Sequence, residues 1–143
     1  AVDKQQAQWL NASKTAIELD TKSWTTQEWV RFIEKMPEVL TVEQITDLDT
    51  AFQFTGTANP EIAQRWYPLT VRSNYVQARP EIEIFLISIG RRKLIMPTYV
   101  ELAKTDEGRA FAQSVFDKAR PGYHPITTSS VEQALVVKEA PTP

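Results

Sequence analysis

Apolar residues return at helical spacing along most of the chain, and the breaks between the runs are legible. Trp29, Phe32, Ile33 and Met36 fall at i, i+3, i+4 and i+7, the pattern of one buried helical face. Ahead of them stands Trp24-Thr25-Thr26-Gln27-Glu28-Trp29. Thr25 with Glu28 forms the pattern of a capping box, and Trp24 and Trp29 hold the two positions of a hydrophobic staple. Pro37 closes the run. Leu40-Thr41-Val42-Glu43-Gln44-Ile45 repeats the device, and Ile45, Leu48 and Phe52 carry that helix to Thr55-Gly56. Asn59-Pro60-Glu61 marks a third start, with a capping side chain, proline at the first helical position and an acid in the first turn. Ile62, Trp66 and Leu69 share its face. Pro68 lies inside that span and predicts a kink, because it removes one backbone bond. Arg79-Pro80-Glu81 opens a fourth helix, Pro97 a fifth, and Thr105-Asp106-Glu107 a sixth that carries Phe111 and Val115. Shorter elements are expected before Asn11 and from Ser129 to Leu135, and residues 138–143 read as a frayed tail.

The pattern predicts an all-α fold with short connections, which favour antiparallel neighbours. Successive pairs suggest helical-repeat layers, although no fixed period is visible. Residues 1–143 read as a single helical domain with no internal boundary. The chain opens Ala-Val-Asp rather than with Met, which suggests a processed chain or a piece of something longer.

One stretch admits two readings. "EIEIFLISIGRRKLIMP", residues 81–97, is either a β-hairpin turning at Gly90-Arg91-Arg92 or two helices joined by a basic knuckle. Ile82, Phe85, Leu86 and Ile89 obey the helical spacing, while Ile84 and Ile87 widen the apolar face, as in a helix in the middle of a bundle. The second run is short and closed by Pro97, and two-residue hairpins want Asn-Gly or Gly-X. The expectation is helix, Gly-terminated knuckle, helix, with the second helix beginning near Pro97.

Composition narrows the function more than the fold. The chain has 143 residues, 42% hydrophobic and 24% charged, with a net charge of −2. That argues against nucleic acid as the main partner. No run is long enough to span a bilayer, and no signal-peptide pattern opens the chain. The compartment stays open, with the cytoplasm favoured. There is no cysteine, one histidine and only four glycines. Zinc sites want several His or Cys ligands at short spacing, and no H-E-x-x-H occurs. A phosphate-cradling glycine loop is missing too. A self-contained hydrolase, nucleotide binder or metalloenzyme therefore lacks its parts.

The basic knuckle Arg91-Arg92-Lys93 is the most suggestive site. In an extended linker Arg91 and Lys93 would point to one side and Arg92 to the other, leaving Arg92 solvated. Arg offers a planar donor fork for a carboxylate and Lys a point charge beside it. A following helix could add its free N–H groups. The plainer alternative is that cations sit well after a helix C-terminus. His124, in Tyr123-His124-Pro125, reads as a structural or surface residue within a loop. Helical spacing gives Trp9, Trp24, Trp29 and Trp66 core or staple roles. Glu81/Glu83 and Glu101/Asp106 read as solvated helix starts.

Four segments in register carry a resemblance: "WTTQEWVRFI" from Trp24, "NPEIAQRW" from Asn59, "GRRKLIMPTYVEL" from Gly90, and His124-Pro125-Ile126-Thr127. The chain resembles the C-terminal helical domain of zinc aminopeptidases in the leukotriene A4 hydrolase branch of the aminopeptidase N-like family, from about residue 8 to residue 128. The resemblance implies an α–α superhelix of the armadillo/HEAT kind, placed after a zinc-binding catalytic domain. Such a domain walls the substrate cleft and supplies no zinc ligand, and the parent enzyme removes N-terminal residues from short peptides. Epoxide opening in the hydrolase branch depends on residues outside this chain. The family's G-R-x-K motif is matched by Gly90, Arg91, Arg92 and Lys93. It implies that Arg91 and Lys93 bind the substrate's free C-terminal carboxylate. The implied partners are the upstream catalytic domain of the same polypeptide and a peptide with a free carboxylate, with no nucleic acid and no membrane. No cofactor is expected in this chain; zinc is expected in the missing catalytic domain. Pro68 departs from the family's uninterrupted helix, and neither H-E-x-x-H nor G-x-M-E-N is present. The chain is therefore expected to be catalytically inert alone. The rival expectation is a free-standing helical-repeat module that binds a partner protein.

Overall fold

Helix starts that were legible as sequence patterns are built as real caps. The Thr25 hydroxyl accepts from the Glu28 N–H at 3.3 Å while the Glu28 carboxylate accepts from the Thr25 N–H at 3.1 Å. Thr41 and Gln44 do the same at 3.1 and 2.9 Å. Asn59 Oδ1 accepts from the Glu61 N–H at 3.0 Å, with Pro60 behind it. The result, in a computed structural model describing residues 2–12 and 14–136, is eight α-helices. They are α1 (Val2–Leu10), α2 (Thr26–Glu34), α3 (Val42–Phe52), α4 (Pro60–Arg72), α5 (Arg79–Ser88), α6 (Arg92–Leu102), α7 (Asp106–Ala119) and α8 (Pro125–Leu135). No strand occurs among the described residues. The frayed tail expected at 138–143 lies outside them.

α4 packs against both α2 and α6, α6 packs in turn on α8 and α7, and α5 packs on α7. This is the expected all-α superhelix. Its core holds Phe32, Ile45, Leu48, Trp66, Tyr67, Leu86, Ile95, Tyr99 and Phe116, all with negligible exposure. Trp24, Trp29, Phe32, Phe52, Phe54 and Trp66 form a chain of rings with centroids 4.7–6.3 Å apart. Edge-on and tilted pairs of this kind each add roughly 0.5–1.5 kcal/mol to simple burial. Trp9 donates its indole N–H to Asp47 Oδ2 at 2.8 Å, and the same oxygen accepts the Ala16 N–H at 2.9 Å. One carboxylate thus joins α1, the turn after it and α3. The tryptophans have the core and staple roles their spacing predicts.

Several expectations are corrected. Residues 81–97 are helix, link and helix, so the hairpin is excluded. However, α6 begins at Arg92, not at Pro97, which is its sixth residue. Pro97 is tolerated there because the acceptor it strands is supplied from outside. Lys93 O would ordinarily receive the N–H of residue 97, and Gln64 Nε2 of α4 donates to it instead at 2.9 Å. Pro68 lies inside α4, which runs to Arg72, as the sequence places it. Ile84 and Ile87 do not widen a buried face. They are 55% and 42% exposed, and α5 buries only Ile82, Phe85 and Leu86. α8 starts four residues before Ser129 because His124 Nδ1 caps the Ile126 N–H at 3.2 Å and Pro125 takes the first helical position. Finally, Glu101 is no solvated helix start. It lies near the end of α6, bonded to Arg72 and Lys104 with its side chain 14% exposed.

Candidate functional site

The link between α5 and α6 is only Ile89-Gly90-Arg91. α5 closes with the Ile89 N–H on Phe85 O at 2.9 Å, and Ile89 is extended. Gly90 rests on the turn before α8, its Cα side facing Gly122 O and the Tyr123 ring at ordinary contact distance. Its φ is not positive, so α5 does not end through a left-handed glycine. Arg91 is the N-cap of α6, also extended, and its side chain makes no capping bond. Arg92 and Lys93 follow as the first two helical residues.

That geometry changes the argument for the cations. The alternation that puts Arg91 and Lys93 on one side holds for extended chain, but Lys93 is helical, so the same-side argument fails. Arg92 is exposed, yet it is not merely solvated: its Nε donates to Ser130 Oγ of α8 at 2.7 Å. Arg91 behaves differently from its fellow arginines. Arg31, Arg65, Arg72, Arg79, Arg109 and Arg120 each pair with a carboxylate, and Arg92 has Ser130. The Arg91 guanidinium alone among them has no hydrogen-bond or ion-pair partner within the described residues. The Lys93 ammonium has none either.

The location is also electrostatically unusual. A helix N-terminus carries about half a positive charge and favours Asp, Glu or a capping oxygen. α6 instead starts with three cations and has no acid in its first turn. The plainer reading, cations after a helix C-terminus, applies weakly because α5 has ended three residues earlier and the dipole effect fades within a turn. An uncapped, positively charged helix start is suited to receive an anion.

Behind the link lies a buried polar chain. The Tyr123 hydroxyl donates to Leu86 O in the last turn of α5. Tyr99 of α6, fully buried, has its hydroxyl 3.0 Å from that of Tyr123. Burial pushes both phenols up from the usual tyrosine value, and for Tyr99 its donated hydrogen bond raises it further. Elsewhere, His124 is an exposed helix cap. Among the described residues no group of three or more His, Cys, Asp or Glu could hold a metal ion. The residues present do not fit a zinc site.

Comparison with known proteins decides the family. Residues 24–135 match the family described as leukotriene A4 hydrolase, C-terminal. The chain belongs to that family. The curated relatives include leucine aminopeptidase 2 of Neurospora crassa, 33% identical over 135 residues, which covers 92% of this chain and 20% of the relative. Leucine aminopeptidase 2 of Kluyveromyces lactis is 38% identical over 83 residues, covering 58% of this chain and 12% of the relative. The chain thus spans about a fifth of the length of such relatives. Native yeast LTA4 hydrolase superposes with a TM-score of 0.72 over 95% of this chain and 25% of its own, at 21% identity. That likeness concerns the fold. Within the leukotriene A4 hydrolase C-terminal fold, the matched Gly90-Arg91-Arg92-Lys93 segment is the link just described. The sequence singles out Arg91 and Lys93 as candidates but not Gln64, Tyr99 and Tyr123, which bond the backbone on either side of the link. The one available signal was Pro97, whose stranded acceptor demands an outside donor.

Proposed function

We propose that this chain is the C-terminal domain of a longer zinc aminopeptidase, where it walls the substrate cleft and receives the free C-terminal carboxylate of a short peptide on Arg91 and Lys93. The observation that carries the reading is the unpartnered Arg91 guanidinium at the uncapped, acid-free start of α6, with Lys93 two residues on. Guanidinium, ammonium and helix N-terminus all favour one carboxylate. The aminopeptidase names of the relatives support the reaction class. Zinc and the water it activates belong, on this reading, to an upstream domain of the same polypeptide, and no step is assigned to this chain's own residues beyond carboxylate binding.

The test uses the full-length polypeptide. Arg91→Ala should lower kcat/KM for free-acid tripeptides by about 10–150-fold, the loss expected for a charge-assisted bond. The same peptides amidated at the C-terminus should be nearly unaffected. Equal losses on both would sink the assignment. The coding sequence upstream offers a cheaper check: an H-E-x-x-H is expected there, and a start codon next to Ala1 would favour the free-standing module instead.

A further inference from the structure

The link carrying Arg91 is gripped at both ends by side chains from other elements. On the α5 side, Leu86 O receives the Tyr123 hydroxyl. A carbonyl can only accept and a phenol has one proton, so the Tyr99 hydroxyl must donate to the Tyr123 oxygen. The chain runs Tyr99 to Tyr123 to Leu86 O, and it spans from α6 back to α5 across the link. On the α6 side, Lys93 O, stranded by Pro97, receives Gln64 Nε2 at 2.9 Å. Gln64 is 5% exposed and Tyr123 8% exposed, so water competes poorly for either bond. Removing either donor leaves a buried backbone carbonyl unpaired, which favours the observed arrangement, although Gln64 Oε1 itself has no hydrogen-bond partner.

We propose that Gln64, Tyr99 and Tyr123 form a clamp that sets where Arg91 and Lys93 stand, making them positioning residues for carboxylate recognition. The proposal rests on the reading in the preceding subsection. None of the three contacts the carboxylate. Each acts through backbone on one side of the link, and all three meet at the six residues between Leu86 and Lys93. A 1 Å displacement of such a link is enough to spoil a charge-assisted contact.

The experiment compares Arg91→Ala, Tyr123→Phe and Gln64→Met in the full-length polypeptide. It reads kcat/KM on a free-acid tripeptide and its C-terminal amide, together with amide hydrogen exchange across residues 87–93. Tyr123→Phe and Gln64→Met should each reduce the free-acid preference by about 3–10-fold. The amide peptide should turn over as before, and exchange should quicken across 87–93 but not in α2 or α3. Tyr99→Phe leaves the Tyr123–Leu86 bond in place and should have a smaller effect. The clamp is overturned if Tyr123→Phe and Gln64→Met lower both substrates equally, or keep the preference that Arg91→Ala removes. It is also overturned by unchanged exchange across 87–93, whatever Arg91→Ala does. A preference that survives Arg91→Ala overturns the carboxylate reading instead.

Discussion

Gly108 illustrates how much a single residue can decide. It is the third residue of α7, and its N–H donates to the capping Thr105 hydroxyl at 3.0 Å. A Cβ at this position would lie 2.3 Å from Leu102 O and 2.8 Å from Thr105 Oγ1. The first contact is backbone, so it cannot be relieved by a rotamer change. Gly108→Ala should destabilise the domain by roughly 1–3 kcal/mol, the usual range for overpacking, measured as a lower urea midpoint with unchanged m-value. Nothing in the local sequence marks this close approach. Thr105-Asp106-Glu107 announces a helix start, but the proximity of α6's last carbonyl is a fact of how the two helices turn.

At the scale of the element, α6 breaks the rules that α2, α3, α4 and α7 keep. α2, α3, α4 and α7 each begin with a capping Thr or Asn and carry an acid in the first turn. α6 has neither, and it also has a proline at its sixth position. Such local conflict tends to mark function, and under the proposed carboxylate reading stability and recognition oppose each other here. Arg91→Asp would supply a cap and an acid at once, worth about 1–2 kcal/mol. In this 143-residue chain it should raise Tm by about 3–6 °C, while abolishing carboxylate recognition in the full-length polypeptide. An unchanged or lower Tm would argue that the cations are compensated from α5. The sequence placed the start of this helix at Pro97 because proline is a strong first-turn signal. It gave no sign that Gln64, 29 residues before the stranded Lys93 carbonyl, would stand in for the missing donor.

At the scale of the whole molecule, all four tyrosines are held protonated by the fold. Burial is the leading cause for each. Tyr75, whose hydroxyl also donates to Asp49 Oδ2 at 2.8 Å, is pushed up to about 12. An unfolded tyrosine titrates near 10, so above that pH the unfolded chain binds fewer protons than the folded one, and stability falls as pH rises. The contribution is intact below about pH 10 and is lost as pH passes through the raised folded values. Phenolate absorbance should therefore show no independent phase near pH 10. It should appear in one cooperative step, together with loss of helical circular dichroism, at higher pH. A normal titration of one or more tyrosines ahead of unfolding would contradict the burial described.

The sequence by itself determined the all-α class, most helix starts, the aromatic core and the two candidate cations. These are local matters: capping boxes, proline positions and the 3.6-residue period are written within a few residues of one another. Tertiary structure decided what lies between segments far apart in the chain. It exposed Ile84 and Ile87, and moved the start of α6 back to Arg92. It also removed the extended-chain argument for Arg91 and Lys93, replacing it with an unpartnered guanidinium at an uncapped helix start. The polar groups that brace this link come from α4, α6 and the turn before α8. Their pairing depends on which buried carbonyls lack a backbone donor, and that is known only once the helices are packed.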